Sequence, residues 1–171
     1  MLLIREMPCR WIVNPNDVRF IVFGDEVICT LPSPKYARLI AAVPELLAAC
    51  HSVLDRLEPN DPPEPKAILR DGIAAAEGGR QYGIADPWIV APGCPWRILD
   101  RDEVICDLPS ATHANLIAAA PALLQTCQLA LQCLAAIGTP YKWRVPLREA
   151  IALAGAKELV GEWNFSDIVI G

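Results

Sequence analysis

Two stretches of the chain carry nearly the same sequence: DEVICTLPSPKYARLIAAVPELLAAC at residues 25–50 and DEVICDLPSATHANLIAAAPALLQTC at residues 102–127. When the comparison is extended to 11–57 and 88–134 at a constant shift of 77, no gap is needed and 24 of 47 positions are identical. Self-similarity of this extent is typical of an internal duplication. The sequence therefore predicts two tandem copies of one unit.

The similarity continues past the aligned core, because LRDGIAAAEG (69–78) matches LREAIALAGA (147–156) at a shift of 78. We divide the chain into a first repeat at 1–79, a glycine-containing linker at 80–87, a second repeat at 88–157 and a tail at 158–171, a possible edge strand. Two repeats are too few for an open solenoid. A closed pair related by pseudo-twofold symmetry, like a homodimer fused into one chain, is the expected arrangement.

Each repeat begins with short runs of β-branched and aromatic residues. The runs 19–23 and 26–30 flank Gly24-Asp25 and predict a β-hairpin, and 96–99 and 103–106 predict its counterpart. The shared WIV motifs at 11–13 and 88–90 add a third strand in an alternative three-stranded meander. Ser33, and Ser110 in the second copy, suit the N-cap of the helix that follows.

The helical part of each repeat is interrupted by proline. Pro44 and Pro121 predict a kink, or a short helix followed by a longer one that begins at proline. Apolar residues then recur at steps of four and three, as in Leu46, Cys50 and Val53, which is typical of a helix-packing seam. A final helix is predicted at about 66–77 and again at 146–159, closing each unit. The expected fold class is α+β, with two helices after each hairpin or meander.

The composition limits the classes of function. Hydrophobic residues make up 53% of the 171 residues and charged residues 20%, which is enough to bury a core. The net charge of −5 makes direct nucleic-acid binding unlikely, since phosphate contacts need a basic surface. The apolar runs look too short and too often broken by proline to span a membrane, and the first ten residues do not resemble a signal peptide. We expect a cytoplasmic protein with no membrane association.

The residues that could carry chemistry do not form a recognisable motif. The only histidines, His51 and His113, align with Gln128 and Tyr36, so neither recurs. The seven cysteines include no CxxC pair, so we predict buried, reduced thiols and neither a metal site nor a cofactor. The acidic pairs at 25–26 and 102–103 fall at hairpin turns, where charged residues are ordinary. We therefore predict that the chain is not an enzyme.

The helical segments carry a resemblance to a known group. ARLIAAVPELLAAC (37–50), ANLIAAAPALLQTC (114–127) and the LRDGIAAAEG and LREAIALAGA segments resemble a motif of small tailed-phage and prophage accessory proteins. In those proteins a short β segment precedes the motif and one copy is usual, whereas this chain has two. The resemblance implies a phage origin and the cytosol of a bacterial host, and it implies no known activity.

Aromatic and basic residues differ between the repeats although the scaffold is the same. Such side chains are the usual anchors of binding surfaces. We predict that they form the surface for a partner; the alternative is that the tail packs on the core. The candidates are Trp96, Arg97, Tyr141, Lys142, Trp143, Arg144, Trp163 and Phe165.

Two hypotheses of function follow from these observations. The leading one is a non-enzymatic phage accessory protein that binds and inhibits a host protein or defence complex, most concretely an inhibitor of the anti-CRISPR kind. The alternative is a small-ligand binder that sequesters a nucleotide signal in a pocket between the repeats. Self-association as a homodimer is a further possibility.

Overall fold

The computed structural model describes residues 10–78, the N-terminal half, and residues 88–155, the C-terminal half. Both halves contain three strands followed by a short 3-10 turn and three helices, in the same order. The first half comprises β1 (Ile12–Val13), β2 (Phe20–Phe23), β3 (Glu26–Thr30), α1 (Ala37–Ala41), α2 (Val43–Arg56) and α3 (Pro63–Gly78). The second half comprises β4 (Ile89–Ala91), β5 (Cys94–Asp100), β6 (Glu103–Asp107), α4 (Ala114–Ala118), α5 (Ala120–Ala136) and α6 (Tyr141–Leu153).

The six strands form one antiparallel sheet in the order β1-β2-β3-β6-β5-β4. Each half contributes a three-stranded meander, and β3 meets β6 at the pair Thr30 and Asp107. The α+β class is confirmed, and of the two strand arrangements considered the meander is the one observed. The first strand of each meander begins one residue later than predicted, after Trp11 and Trp88. β1 is therefore one residue shorter than predicted, whereas β4 keeps three residues and ends at Ala91.

A β-bulge explains why two successive residues of β3 are both buried. Ile21 pairs with Cys29, but the next residue, Val22, pairs with Val27, so Ile28 is the extra residue. In a bulge the extra residue breaks the strict alternation of side chains, and both Ile28 and Cys29 are buried. The same register shift in the second meander leaves Ile105 as the extra residue, and Ile105 and Cys106 are buried there.

The two predicted helix caps differ. Ser33 is extended, and its hydroxyl accepts a hydrogen bond from the backbone N–H of Lys35 at 3.4 Å. Ser110 makes no such cap; its hydroxyl instead donates to the Oγ1 atom of Thr112 at 3.1 Å. Ser110 thus stands at the predicted N-cap position, but its side chain does not cap the helix. Thr112, which aligns with Lys35, supplies the oxygen to which the Ser110 hydroxyl donates.

Proline separates the first two helices of each half, as predicted. α1 ends at Ala41, and α2 begins at Val43 with Pro44 in its first turn, where the missing N–H has no helical partner to lose. Pro121 has the same position in α5. The short helix and the turn that follows it place α2 and α5 in the centre of the protein.

The helices pack across the two halves. α3 lies mainly against α5 of the other half as well as against α2, and α6 lies against both α2 and α5. The expectation that a final helix closes its own unit is therefore incomplete, because α3 and α6 each also cover a helix of the other half. Edge-to-face aromatic pairs cross the halves too, Trp11 with His113 and Trp88 with Tyr36, at centroid distances of 5.1 and 5.0 Å. A single hydrophobic cluster drawn from both halves results.

Two helical stretches, at Pro34–Arg56 and Ala111–Ala136, are long and apolar enough to cross a membrane by length and composition. The expectation that the apolar runs are too short is wrong, because the helical path runs on from α1 into α2 and from α4 into α5. Pro44 and Pro121 lie in the first turn of the second helix, where proline does not end the helical path. Half or more of each apolar window, 50% and 61%, is buried inside the protein. Helices that form the core of a protein meet the same criterion of length and composition.

Candidate functional site

The predicted segment Tyr141 to Arg144 forms the first turn of α6, which begins about five residues earlier than expected. Pro140 precedes it and provides no side-chain cap, and the first turn contains no acidic residue. The free N–H groups of a helix start carry a partial positive charge. This end of α6 is therefore electropositive before any side chain is considered.

A surface cleft of about 390 Å³ lies at this helix start and is lined by Arg56, Lys142 and Trp143, which we call the basic cleft. Arg56 is the last residue of α2 and belongs to the N-terminal half. Arg56 was not among the residues predicted from the sequence. The one signal that could have drawn attention to it is that the aligned residue in the C-terminal half, Cys133, is uncharged.

Arg56 is held by a backbone contact that a proline in α6 makes available. The carbonyl of Lys142 would normally accept a hydrogen bond from the residue four positions later, but that residue is Pro146, which has no N–H. Nη1 of Arg56 donates to this carbonyl at 3.3 Å. The guanidinium group therefore connects the end of α2 to the first turn of α6.

Further cationic side chains lie beside the basic cleft. The guanidinium groups of Arg144 and Arg148 lie 5.7 and 5.4 Å from the centre of the Tyr141 ring, within the range of cation–π interactions. Tyr141 is 59% exposed. The Nε atom of Arg144 is buried and has no hydrogen-bond partner among the described residues. Tyr141, Arg144 and Arg148 are spaced three and four residues apart and therefore share one face of α6, where they form a second group of cations around an aromatic ring.

The aligned place in the other half has a different chemistry. There, at the start of α3 and the end of α5, Glu64, Pro65 and Cys133 stand where Lys142, Trp143 and Arg56 stand in the basic cleft. Burial and the charge of Glu64 raise the pKa of the Cys133 thiol. Lys66 and Arg70 align with Arg144 and Arg148, so the two ends of the helical layer differ at Arg56, Lys142 and Trp143 and share the other two cations.

Trp96 and Arg97 lie on β5, which packs against β4, β6 and α4, so they belong to a surface different from that of α6. Trp96 is 47% exposed. Arg97 forms a two-pronged ion pair with Asp107 across the strands, at 2.7 and 3.2 Å, and this partner raises the pKa of the Arg97 guanidinium. The remaining two candidates, Trp163 and Phe165, lie outside the described residues.

The buried cysteines meet in pairs whose members come from different halves. The sulfur atoms of Cys50 and Cys127 are 3.6 Å apart, and Cys127 donates to the carbonyl of Leu46 at 3.7 Å. The hydrogen bond with Cys50, together with burial, raises the pKa of Cys127. Cys29 and burial likewise raise the pKa of Cys106. Buried thiols with raised pKa values are poor nucleophiles, so Cys106 and Cys127 serve as small core residues. Cys29 and Cys50 are buried beside them and fill the same part of the core.

The histidines have separate environments. Nε2 of His51 lies 3.1 Å from the Oε1 atom of Glu77 on the surface, whereas the ring of His113 packs on Trp11. Over residues 10–78 and 88–155, no group of three or more histidine, cysteine, aspartate or glutamate side chains could hold a metal ion. Comparisons with family models, with curated proteins and with solved structures found no match.

Proposed function

We propose that this chain is a non-enzymatic binding protein that holds an acidic region of a protein partner at the basic cleft. The observation that carries the proposal is the meeting of Arg56 from one half with Lys142 and Trp143 from the other. Arginine and tryptophan are enriched at the centres of protein interfaces. A cluster of cations on a chain with a net charge of −5 also steers an acidic partner to this one end.

The scaffold for this site is, in our proposal, a duplicated unit with pseudo-twofold symmetry. Two contacts between the halves join a residue to its own counterpart 77 positions later: Thr30 to Asp107, and Cys50 to Cys127. A contact between equivalent residues is what a twofold interface produces. Duplication then allows one end of the scaffold to acquire the basic cleft while the other keeps Glu64 and Cys133.

The partner, in this proposal, is a host protein or defence complex in the bacterial cytosol, and the protein acts by steric inhibition in the manner of an anti-CRISPR. Support comes from the resemblance of 37–50 and 114–127 to phage accessory proteins.

Affinity purification of the tagged full chain from bacterial lysate, with mass spectrometry of the retained proteins, tests this function. We expect a stoichiometric host complex to be retained by the wild type and lost with Lys142→Ala/Trp143→Ala. The control is Arg70→Ala, since Arg70 is an exposed cation on α3 that aligns with Arg148. Retention of nothing, or equal retention by all three proteins, contradicts the proposal.

A small ligand is the second candidate, because the volume of about 390 Å³ falls in the range of ligand pockets. An anionic aromatic molecule such as a cyclic nucleotide would match a tryptophan flanked by cations. A ligand that binds only the folded protein raises its melting temperature. A shift with cyclic nucleotides that disappears in Trp143→Ala would favour this candidate over a protein partner.

A further inference from the structure

The geometry points to Arg56 as a binding residue of the basic cleft and to Pro146 as the residue that positions it. This inference rests on the proposed function, because it assigns a role to residues at the same site. Arg56 lines the cleft and is exposed, and its Nη1 donates to the carbonyl of Lys142. A long arginine side chain loses conformational entropy when it binds a partner. A contact that already restrains it lowers this cost.

Pro146 supplies the restraint by removing a competitor. With any other residue at 146, the backbone N–H of that residue would donate to the Lys142 carbonyl, which lies four positions earlier in the helix. Proline cannot donate, so the carbonyl is left for the guanidinium group of Arg56. One arginine N–H group is used in this way, and the others in the guanidinium fork remain for carboxylates of a partner.

The aligned positions support a linked role for the two residues. Cys133 occupies the place of Arg56 at the end of α5, and Ile68 occupies the place of Pro146 in α3. Both members of the pair are thus present at the basic cleft and both are replaced at the other end. Because Arg56 and Pro146 come from different halves, the binding surface is complete only when α2 and α6 are packed together.

Binding is tested with a fluorescein-labelled octaglutamate peptide, using polarisation at low and at physiological salt. Arg56→Ala is expected to weaken binding by about fivefold, the size of one exposed charge contact. The matched control Arg70→Ala is expected to change it by less than about twofold. Pro146→Ala removes no charge, yet we expect it to weaken binding about two- to threefold, and to add nothing in the Arg56→Ala background.

A thermal double-mutant cycle tests the same pair without any ligand. Arg56→Ala should lower the melting temperature by about 2–4 °C when Pro146 is present and have little effect in Pro146→Ala. Additive effects in this cycle overturn the positioning role of Pro146. Equal weakening of peptide binding by Arg56→Ala and Arg70→Ala overturns the binding role of Arg56. If the wild type does not bind the peptide at all, the proposed binding of an acidic partner is overturned instead. The thermal cycle would still show whether Pro146 makes the Lys142 carbonyl available to Arg56.

Discussion

At the scale of single residues, Gly72 shows how closely the two halves pack. It lies within α3, and a methyl group added there would come within about 3 Å of the side chain of Thr126 on α5. Thr126 is 8% exposed and so has little room to move. The aligned residues on the other side, Ala150 and Ala49, are both alanine. The pair Gly72 and Thr126 and the aligned pair Ala150 and Ala49 therefore fill similar space between the helices with different side chains.

We predict that Gly72→Ala lowers the free energy of unfolding by about 1–2 kcal/mol, because the steric cost exceeds the gain in helix propensity. In a Thr126→Ala background the same substitution should instead be stabilising, since only the propensity gain remains. Chemical denaturation of the four proteins measures both effects. A Gly72→Ala effect of the same sign in both backgrounds would show that Thr126 is not the obstacle.

At the scale of elements, alternation along β5 separates a core residue from a surface ion pair. Ile98 is fully buried, whereas the Arg97 and Asp107 side chains are each 42% exposed on the opposite face. The aligned cross-strand pair in the first meander is Phe20 with Thr30, which are uncharged. The ion pair is therefore a substitution on the outer face of the sheet and not a requirement of the strand pairing.

We predict that Arg97→Ala lowers the free energy of unfolding only slightly and that the loss shrinks in 1 M NaCl, because exposed ion pairs are weak and screened. Ile98→Ala, one residue along, should cost about 2–4 kcal/mol at any salt concentration. Denaturant titrations at two salt concentrations make the comparison. A larger, salt-independent loss for Arg97→Ala would mean that this face of the sheet is covered.

At the scale of the whole molecule, the crossing of α3 onto α5 and of α6 onto α2 makes the halves depend on each other. We predict that a protease site inserted in 80–87 can be cut without separating the two pieces. The cut protein should elute at the volume of the intact one and melt in a single transition. Separation of the pieces under native conditions would contradict this, with the uncut insertion protein as the control.

The same packing predicts that residues 1–77 expressed alone aggregate or dimerise, because the apolar faces of α2 and α3 lose their partners α5 and α6. Size-exclusion chromatography with light scattering provides the measurement. A well-dispersed monomer would show that the first half folds without the second.

Sequence alone was sufficient for features set by neighbouring residues. The hairpins, the Ser33 cap and the helix starts at Pro44 and Pro121 were predicted, because turn chemistry and the missing proline N–H act over a few positions. The class of fold followed from these elements. The sequence did not predict that the side chain of Ser110, unlike that of Ser33, makes no capping hydrogen bond and donates to the Oγ1 atom of Thr112.

The tertiary structure decided everything that depends on residues distant in sequence. It brought Arg56 to Lys142 and Trp143, a distance of 86 positions along the chain from Arg56 to Lys142, and left Trp96 and Arg97 on a different surface. It also packed each final helix against both halves, α3 and α6 each contacting α2 and α5. Helical periodicity shows which face of a helix is apolar, but the partner of that face is set by packing of the complete core, which spacing along the chain does not encode.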